Sequence, residues 1–355
     1  MAMNLSGLIP RQEQPENLES PCSIFDSFLT PNDLFYVRNH FQTAEVDPAT
    51  WSLRVEGAVE QPREFSYAEI LAMPSRTILA TLECAGNART FLAHGAKGVP
   101  WGLGAVGTAE WTGVPLSAIL AEVGLQQETE EIILEGADHG EIHEEPRTPG
   151  IIRYAHSVPL GKALDKDVLL AYAMNGDDLT RRHGFPLRAV VPGWYGMASV
   201  KWLQRILVSS RPFFGYFQSF EYSRWERIGG IPSLVPLAAG EVKAKIIKPS
   251  SNELVRRASS FRVYGAAWAG ESQTTRVDVS VDEGHTWECG HLLDAPQRYC
   301  WVRWEYIWNT PAQPGTVVLM ARATDKMGRS QPLAADQDNR HYAVHHVLKI
   351  PVRVE

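Results

Sequence analysis

No apolar run in this chain approaches the ~20 residues that a membrane-spanning helix needs. Positive charge is not in excess either. The formal net charge of the 355 residues is −7, which offers no bulk attraction to nucleic acid or to an anionic membrane. An anionic ligand would have to be met by cations gathered at one place. Cysteine is scarce: Cys22, Cys84, Cys289 and Cys300 are the whole complement, and no two stand as CxxC. Zinc ribbons, iron–sulfur clusters and c-type haem attachment therefore find no support. Four thiols in so long a chain do not make a disulfide framework, and reduced thiols in a cytoplasm are the simplest reading. The stretch MAMNLSGLIPRQEQPENLESP has no basic start, no long apolar segment and no twin arginine. It does not read as a secretory or Tat signal, so the cytoplasm is expected, or the periplasm had a signal been removed. Internal repeats and low-complexity tracts are lacking as well.

What is present is an ordinary globular composition, 44% hydrophobic and 21% charged, in a chain long enough for two cores. Residues 1–30 are polar and proline-dotted and read as an arm on the surface. Residues 31–240 mix strand-like runs (Ser52-Leu53-Arg54-Val55, Ile132-Ile133-Leu134, Val168-Leu169-Leu170) with short helical patterns. Ser66-Tyr67-Ala68-Glu69 is a capping box, and the pattern from Pro115 to Val123 is closed by Gly124. No regular βαβ repeat appears, so an α+β domain is expected rather than a doubly wound one. Residues 211–240 read as a long aromatic loop, with Phe213, Phe214, Tyr216, Phe217, Phe220, Tyr222 and Trp225, covering a core or lining a pocket. In residues 241–355 the period becomes two. Val277, Val279 and Val281 alternate with polar residues before the turn Asp282-Glu283-Gly284; Val302, Trp304, Tyr306 and Trp308 form a second series; Val317, Leu319, Ala321 and Ala323 form a third. Such spacing predicts an all-β immunoglobulin-like sandwich, with Pro351 placing the last strand at an edge.

The candidate chemistry starts from Glu83-Cys84-Ala85-Gly86-Asn87-Ala88-Arg89. Residues 77–82 read as a strand ending just before the thiol, and Ala85 and Gly86 leave room for a bulky group. Thiolates suit soft metals, and the nearby Arg89 favours the ionised form; alone, an ordinary buried cysteine is the plainer reading. His183 and Arg188 frame HGFPLR, and Ser199 and Lys201 follow in GMASVKW. A phosphate-bearing ligand needs such cations and donors, although each residue singly would pass for a solvated charge. Arg38 and His40 end the aromatic run Phe35-Tyr36-Val37-Arg38-Asn39-His40, and Asp138 could be a turn residue. The loop DHGEIHEE, with His139 and His143, lacks helical zinc spacing and reads as exposed. His341, His345 and His346 read as strand and surface residues.

These motifs together resemble the sulfite oxidase family of molybdenum enzymes, over most of the chain. CAGN there carries the protein ligand to molybdenum, here Cys84, the remaining sulfurs coming from the molybdopterin dithiolene. Two arginines commonly follow; here Ala88-Arg89 keeps the second. The resemblance implies that Arg38 of RNH reaches the substrate oxyanion and that His40 lies against the cofactor. It implies that Asp138 contacts the pterin, and that His183, Arg188, Ser199 and Lys201 belong to the cofactor-binding segment. Trp101 matches the substrate-pocket tryptophan, Trp111 a core one and Tyr222 the active-site tyrosine. Arg340 aligns with a substrate-side arginine, without the family's WNLRG context. The implied architecture is a sulfite-oxidase-type molybdopterin-binding domain followed by a dimerisation domain, hence a homodimer. The implied reaction is oxidation of sulfite to sulfate by oxygen-atom transfer. No haem module is seen, so electrons would pass to a separate acceptor, a cytochrome or oxygen. The competing readings are the same cofactor reducing nitrate or a sulfoxide, a metal-free thiol enzyme built on Cys84, and a non-catalytic β-sandwich that binds a partner. No nucleic-acid or membrane partner is expected.

Overall fold

The computed structural model describes residues 7–92 and 96–355; the first six residues of the expected arm lie outside the described residues. The rest of that arm does not lie loosely on the surface. Ile9–Gln12 pairs antiparallel with Asn17–Glu19, and Asn17, Leu18, Glu19, Ile24 and Phe25 are buried. The carboxylate of Glu19 accepts from the backbone N–H groups of Gly102 (2.9 Å) and Gly104 (2.7 Å). Asn17 and Glu19 thus spend their polar groups on buried hydrogen bonds, while Gln12, Glu13 and Gln14 stay exposed.

The region expected to be α+β is mostly β. Its α-helices among the described residues are Tyr67–Ala72, Leu116–Val123 and Leu160–Ala163, each too short to be stable without tertiary packing. The predicted capping box is present: Glu69 N–H donates to Ser66 Oγ (3.3 Å), and Ser66 N–H donates to Glu69 Oε2 (2.8 Å). Gly124 ends its helix with φ +66°. One sheet runs in the order Asp177–Asp178, Leu169–Met174, Val106–Pro115, Arg76–Glu83, with Arg188–Val190 also paired to Leu169–Met174. A second runs Arg63–Ser66, Ser52–Gly57, Leu203–Ser209, Glu131–Gly140, Ile152–Pro159. Ser52–Gly57 and Leu203–Ser209 are parallel, which brings residues 151 positions apart into register.

The expected long loop at 211–240 carries its own structure. Tyr222 N–H donates to Phe217 O (2.8 Å), closing one wide helical turn. Ser223–Ile228 then pairs with Ile231–Pro236 as a hairpin. Its turn is Gly229-Gly230, with φ +58° and +85°, a geometry that two glycines adopt without strain. Aromatic density masked the hairpin, because Trp225 and the paired Ile228 and Ile231 are exposed and the alternation that marks a half-buried strand is missing.

In the C-terminal part a four-stranded sheet (Lys243–Lys248, Ser260–Trp268, Val302–Asn309, His291–Leu292) and a five-stranded sheet share one core. Val277, Val279, Trp304, Trp308, Leu319 and Ala321 meet there, as their period of two requires. The last strand, Ile350–Val354, is not at the edge: it lies between Gly315–Asp325 and Leu254–Val255. The two-residue neighbour pairs only with Arg353 and Val354, so the proline nitrogen, which has no proton to give, faces a side with no ladder partner. His341, His345 and His346 are not strand residues; they sit half-buried in the irregular segment before this strand.

Candidate functional site

Strand Arg76–Glu83 delivers Cys84 to the end of the first sheet. The chain then turns sharply: Asn87 N–H donates to Cys84 O (2.9 Å) and Arg89 N–H to Gly86 O (3.1 Å). Ala88 takes φ +68°, a left-handed conformation that costs a non-glycine residue about 1–2 kcal/mol and is held by its N–H bond to Gly102 O (2.7 Å). Gly86 is required for a different reason. A Cβ there would lie 2.4–2.7 Å from the guanidinium of Arg89.

Cys84, 6% exposed, faces a cavity of about 640 Å³, its open mouth included. Arg38, His40, Asp138, His183, Arg188, Ser199, Lys201 and Tyr222 line the same cavity. The tertiary structure thus brings together residues spread over 185 positions. His40 stacks on Tyr154 (centroids 4.3 Å, 17° between planes) and is hydrogen-bonded to Tyr222. Arg188 donates to His183 O (3.0 Å) and Ser199 O (3.1 Å). It also lies 4.9 Å from the centre of the Trp111 ring, so the tryptophan assigned to the core supports a cation of the site. Lys201 Nζ donates to Arg182 O (2.9 Å) and to Asn39 Oδ1. His183 Nε2 donates to Asn32 O (3.1 Å).

Positive charge dominates. Arg38, Arg188 and Lys201 converge in the cavity, and the carboxylate facing them is Asp138. Burial and the neighbouring Arg188 drive Lys201 well below the usual lysine range, Asp138 opposing. Burial lowers Arg188 to about 10 and raises Asp138 to about 6, with Lys201 opposing. Burial, then Arg38 and Lys201, hold His40 far below its ordinary value. Burial works against the Arg38 charge, but the ionised forms of Tyr222, Cys84, Tyr342 and Tyr154 together outweigh it and raise the pKa. Cations crowded out of water at this cost are stabilised by an anion that pairs with them.

Three predicted residues do not line this cavity. Trp101 is fully buried behind Tyr36, edge-on at 6.5 Å. Arg89 spends its guanidinium on Val99 O (2.6 Å) and His341 O (3.1 Å), 5.1 Å from the Tyr342 ring centre. Arg340 donates to Phe220 O (3.0 Å) and Ser223 Oγ (2.6 Å), bracing the segment that carries Tyr222. Tyr36, Asn39 and Tyr154 line the cavity and were not singled out by the sequence. Tyr36 could have been: it stands in the same short run as Arg38 and His40, in which Phe35, Tyr36, Arg38, Asn39 and His40 all line the cavity and Val37 alone packs away from it with Leu8 and Leu18. Tyr154 carried no local signal.

The description "Oxidoreductase molybdopterin binding domain" matches residues 40–217, and "Mo-co oxidoreductase dimerisation domain" matches residues 237–347. The chain is 35% identical to sulfite oxidase of Gallus gallus, over 92% of this chain and 73% of that one. It belongs to the sulfite oxidase family. Mitochondrial sulfite oxidase of Homo sapiens is likewise 35% identical over 90% of this chain; the chain spans 60% of that relative's length. Among solved structures, the sulfane dehydrogenase SoxCD from Paracoccus pantotrophus superposes with a TM-score of 0.82 at 27% identity, over 95% of this chain and 84% of that one. As a member of this family the chain is a molybdopterin-dependent oxidoreductase. Its own residues fit the cofactor: a soft thiol ligand lines the same cavity as buried cations and hydrogen-bonding groups suited to a phosphate-bearing pterin.

Proposed function

We propose that this protein oxidises sulfite to sulfate and passes the electrons to a separate acceptor, a cytochrome or oxygen. The observation that carries the reading is the meeting of Cys84 with the buried cations Arg38, Arg188 and Lys201 in one cavity of an otherwise acidic chain. Sulfite plus water yields sulfate, two protons and two electrons. When bound, the molybdenum cofactor supplies the two-electron oxygen-atom transfer. Cys84 holds the metal. His183, Arg188, Ser199 and Lys201 hold the phosphate end of the pterin, and Asp138 accepts from its ring. Arg38 binds and orients the sulfite oxygens by charge-assisted hydrogen bonds, with the Tyr222 hydroxyl and His40 beside it. Arg89 and Arg340 add positive potential from behind the wall, and Trp101 backs Tyr36.

In this reading residues 31–240, with the arm 1–30, form the catalytic domain. Residues 241–355 form an immunoglobulin-like dimerisation domain of a homodimer working in the cytoplasm. Among the described residues no helix is long and apolar enough to cross a membrane. The test is metal analysis of the purified protein combined with dye-coupled assays. About one molybdenum per chain and sulfite-dependent dye reduction are expected. Protein free of molybdenum, or holoprotein that turns over nitrate in preference to sulfite, overturns the assignment.

A further inference from the structure

Glu83 immediately precedes Cys84 and points to the opposite side of the strand: Leu82 and Cys84 line the cavity, and Glu83 does not. The residue is 4% exposed, and its carboxylate takes three donors. Oε1 accepts from Asn87 Nδ2 (3.0 Å) and from Lys243 Nζ (2.9 Å), and Oε2 from Trp268 Nε1 (2.9 Å). Lys243 and Trp268 are register partners on neighbouring strands of the C-terminal four-stranded sheet. Asn87 in turn accepts from Ala105 N–H through Oδ1 (3.2 Å).

The same C-terminal part grips the thiol turn from a second direction. Ala343 N–H donates to Ala85 O (2.8 Å), Arg89 Nε donates to His341 O (3.1 Å), and Lys243 Nζ reaches Val344 O (3.3 Å). The residues before, within and after the Cys84 turn are therefore each fixed by residues at least 150 positions away. Lys243 is 1% exposed and its partner nearly as buried. A buried ion pair is a poor source of stability, since apolar residues of the same size often do as well or better. What it supplies is direction, because charge-assisted bonds fix angle as well as distance.

We propose that Glu83, Lys243 and Trp268 form a positioning cluster through which the C-terminal β-sheet sets the orientation of the Cys84 thiol. The C-terminal part is then a component of the metal site as well as a dimerisation module. The cluster touches neither substrate nor cofactor and acts through Cys84; the inference rests on Cys84 being the metal ligand.

The decisive variant is the double substitution Glu83→Gln/Lys243→Met, which keeps side-chain volume and strands no buried charge. In the holoenzyme we expect the thiolate-to-molybdenum charge-transfer absorption to shift. We expect kcat to fall about tenfold or more at nearly constant KM, as misplacement of a reacting group does. In the full chain made without cofactor, the alkylation rate of Cys84 should change at least about threefold while that of Cys300, the other buried thiol, is unchanged; loss of stability alone would expose both. Wild-type absorption, kcat and Cys84 alkylation in a folded double variant overturn the proposal. Should the double variant not fold, Trp268→Phe, which removes one donor, is judged by the same three readouts. Failure of the underlying reading looks different: Cys84→Ser itself would then keep wild-type molybdenum content and turnover.

Discussion

The hydroxyl of Tyr222 lies 2.6 Å from Nε2 of His40. Neither ring is charged near neutral pH. Burial raises the phenol to about 12, Arg38 opposing and Cys84 assisting. Burial, Arg38 and Lys201 hold the imidazole well below its ordinary value. The pair is a neutral hydrogen bond placed among cations, and it holds His40 against Tyr154.

Tyr222→Phe should therefore be a mild lesion in catalysis and a visible one in stability. It removes a neutral hydroxyl and leaves every cation, so KM and kcat for sulfite should each change modestly. It also leaves Nε2 of a buried His40 without its partner, which costs roughly 1–3 kcal/mol. Steady-state kinetics and a thermal melt check both parts; a loss of activity as large as that of Cys84→Ser would contradict the assigned role.

Cys84→Ser is nearly isosteric and should keep the fold while abolishing sulfite oxidation. The other thiols divide by environment. Cys22 and Cys289 are exposed and should accept serine with no change in turnover. Cys300 is buried, and burial pushes its thiol up to about 12, so Cys300→Ser should lower the melting temperature without altering kcat. Metal content, kcat and melting curves of the four single variants decide this.

Arg89→Gln removes a cation that serves two carbonyl oxygens. Losing a charged hydrogen bond costs roughly 1.5–3 kcal/mol, which corresponds to about a ten- to hundredfold loss in kcat/KM if it all falls on the transition state. Because the guanidinium braces the turn behind the cavity, the melting temperature should fall together with kcat/KM, while molybdenum content stays near normal. A raised KM with an unchanged melt would instead place Arg89 directly on the anion.

Lys245 gives a prediction that depends on pH. It is 1% exposed, its Nζ has no partner among the described residues, and burial, reinforced by Lys243, lowers its pKa from 10.5 to about 7. Between those two values the unfolded chain binds the proton and the folded chain does not, so this group makes stability rise with pH across that window. Below about pH 7 the buried ammonium is a full penalty, worth about 1.4 kcal/mol for each pKa unit of displacement. Lys245→Met should be more stable than the parent at neutral and lower pH, the gap closing as pH approaches 10.5. Melting temperatures of both proteins across that range test it; a constant difference, or a less stable variant, would be the contrary result.

Much of this protein was legible in order along the chain. The alternation of Val302, Trp304 and Trp308, the box at Ser66 and Glu69, and the stop at Gly124 each encode a local choice, because side-chain period and cap chemistry act within a few residues. Cys84 in CAGN, Arg188 in HGFPLR and Lys201 in GMASVKW stand out by resemblance to a family's motifs rather than by their local chemistry, and they line one cavity. Where the site ends was decided elsewhere. Arg38, Cys84, Asp138, Lys201 and Tyr222 meet only because Ser52–Gly57 pairs in parallel with Leu203–Ser209 and antiparallel sheets close around them. Arg89 and Arg340 fall behind the wall because the backbone oxygens of Val99, His341 and Phe220 take up their donors. Two of the three donors around Glu83 come from 160 and 185 positions away. No period or motif reports such a meeting, because a hydrogen bond between remote residues depends on the path of the whole chain and on which buried groups lack any nearer partner.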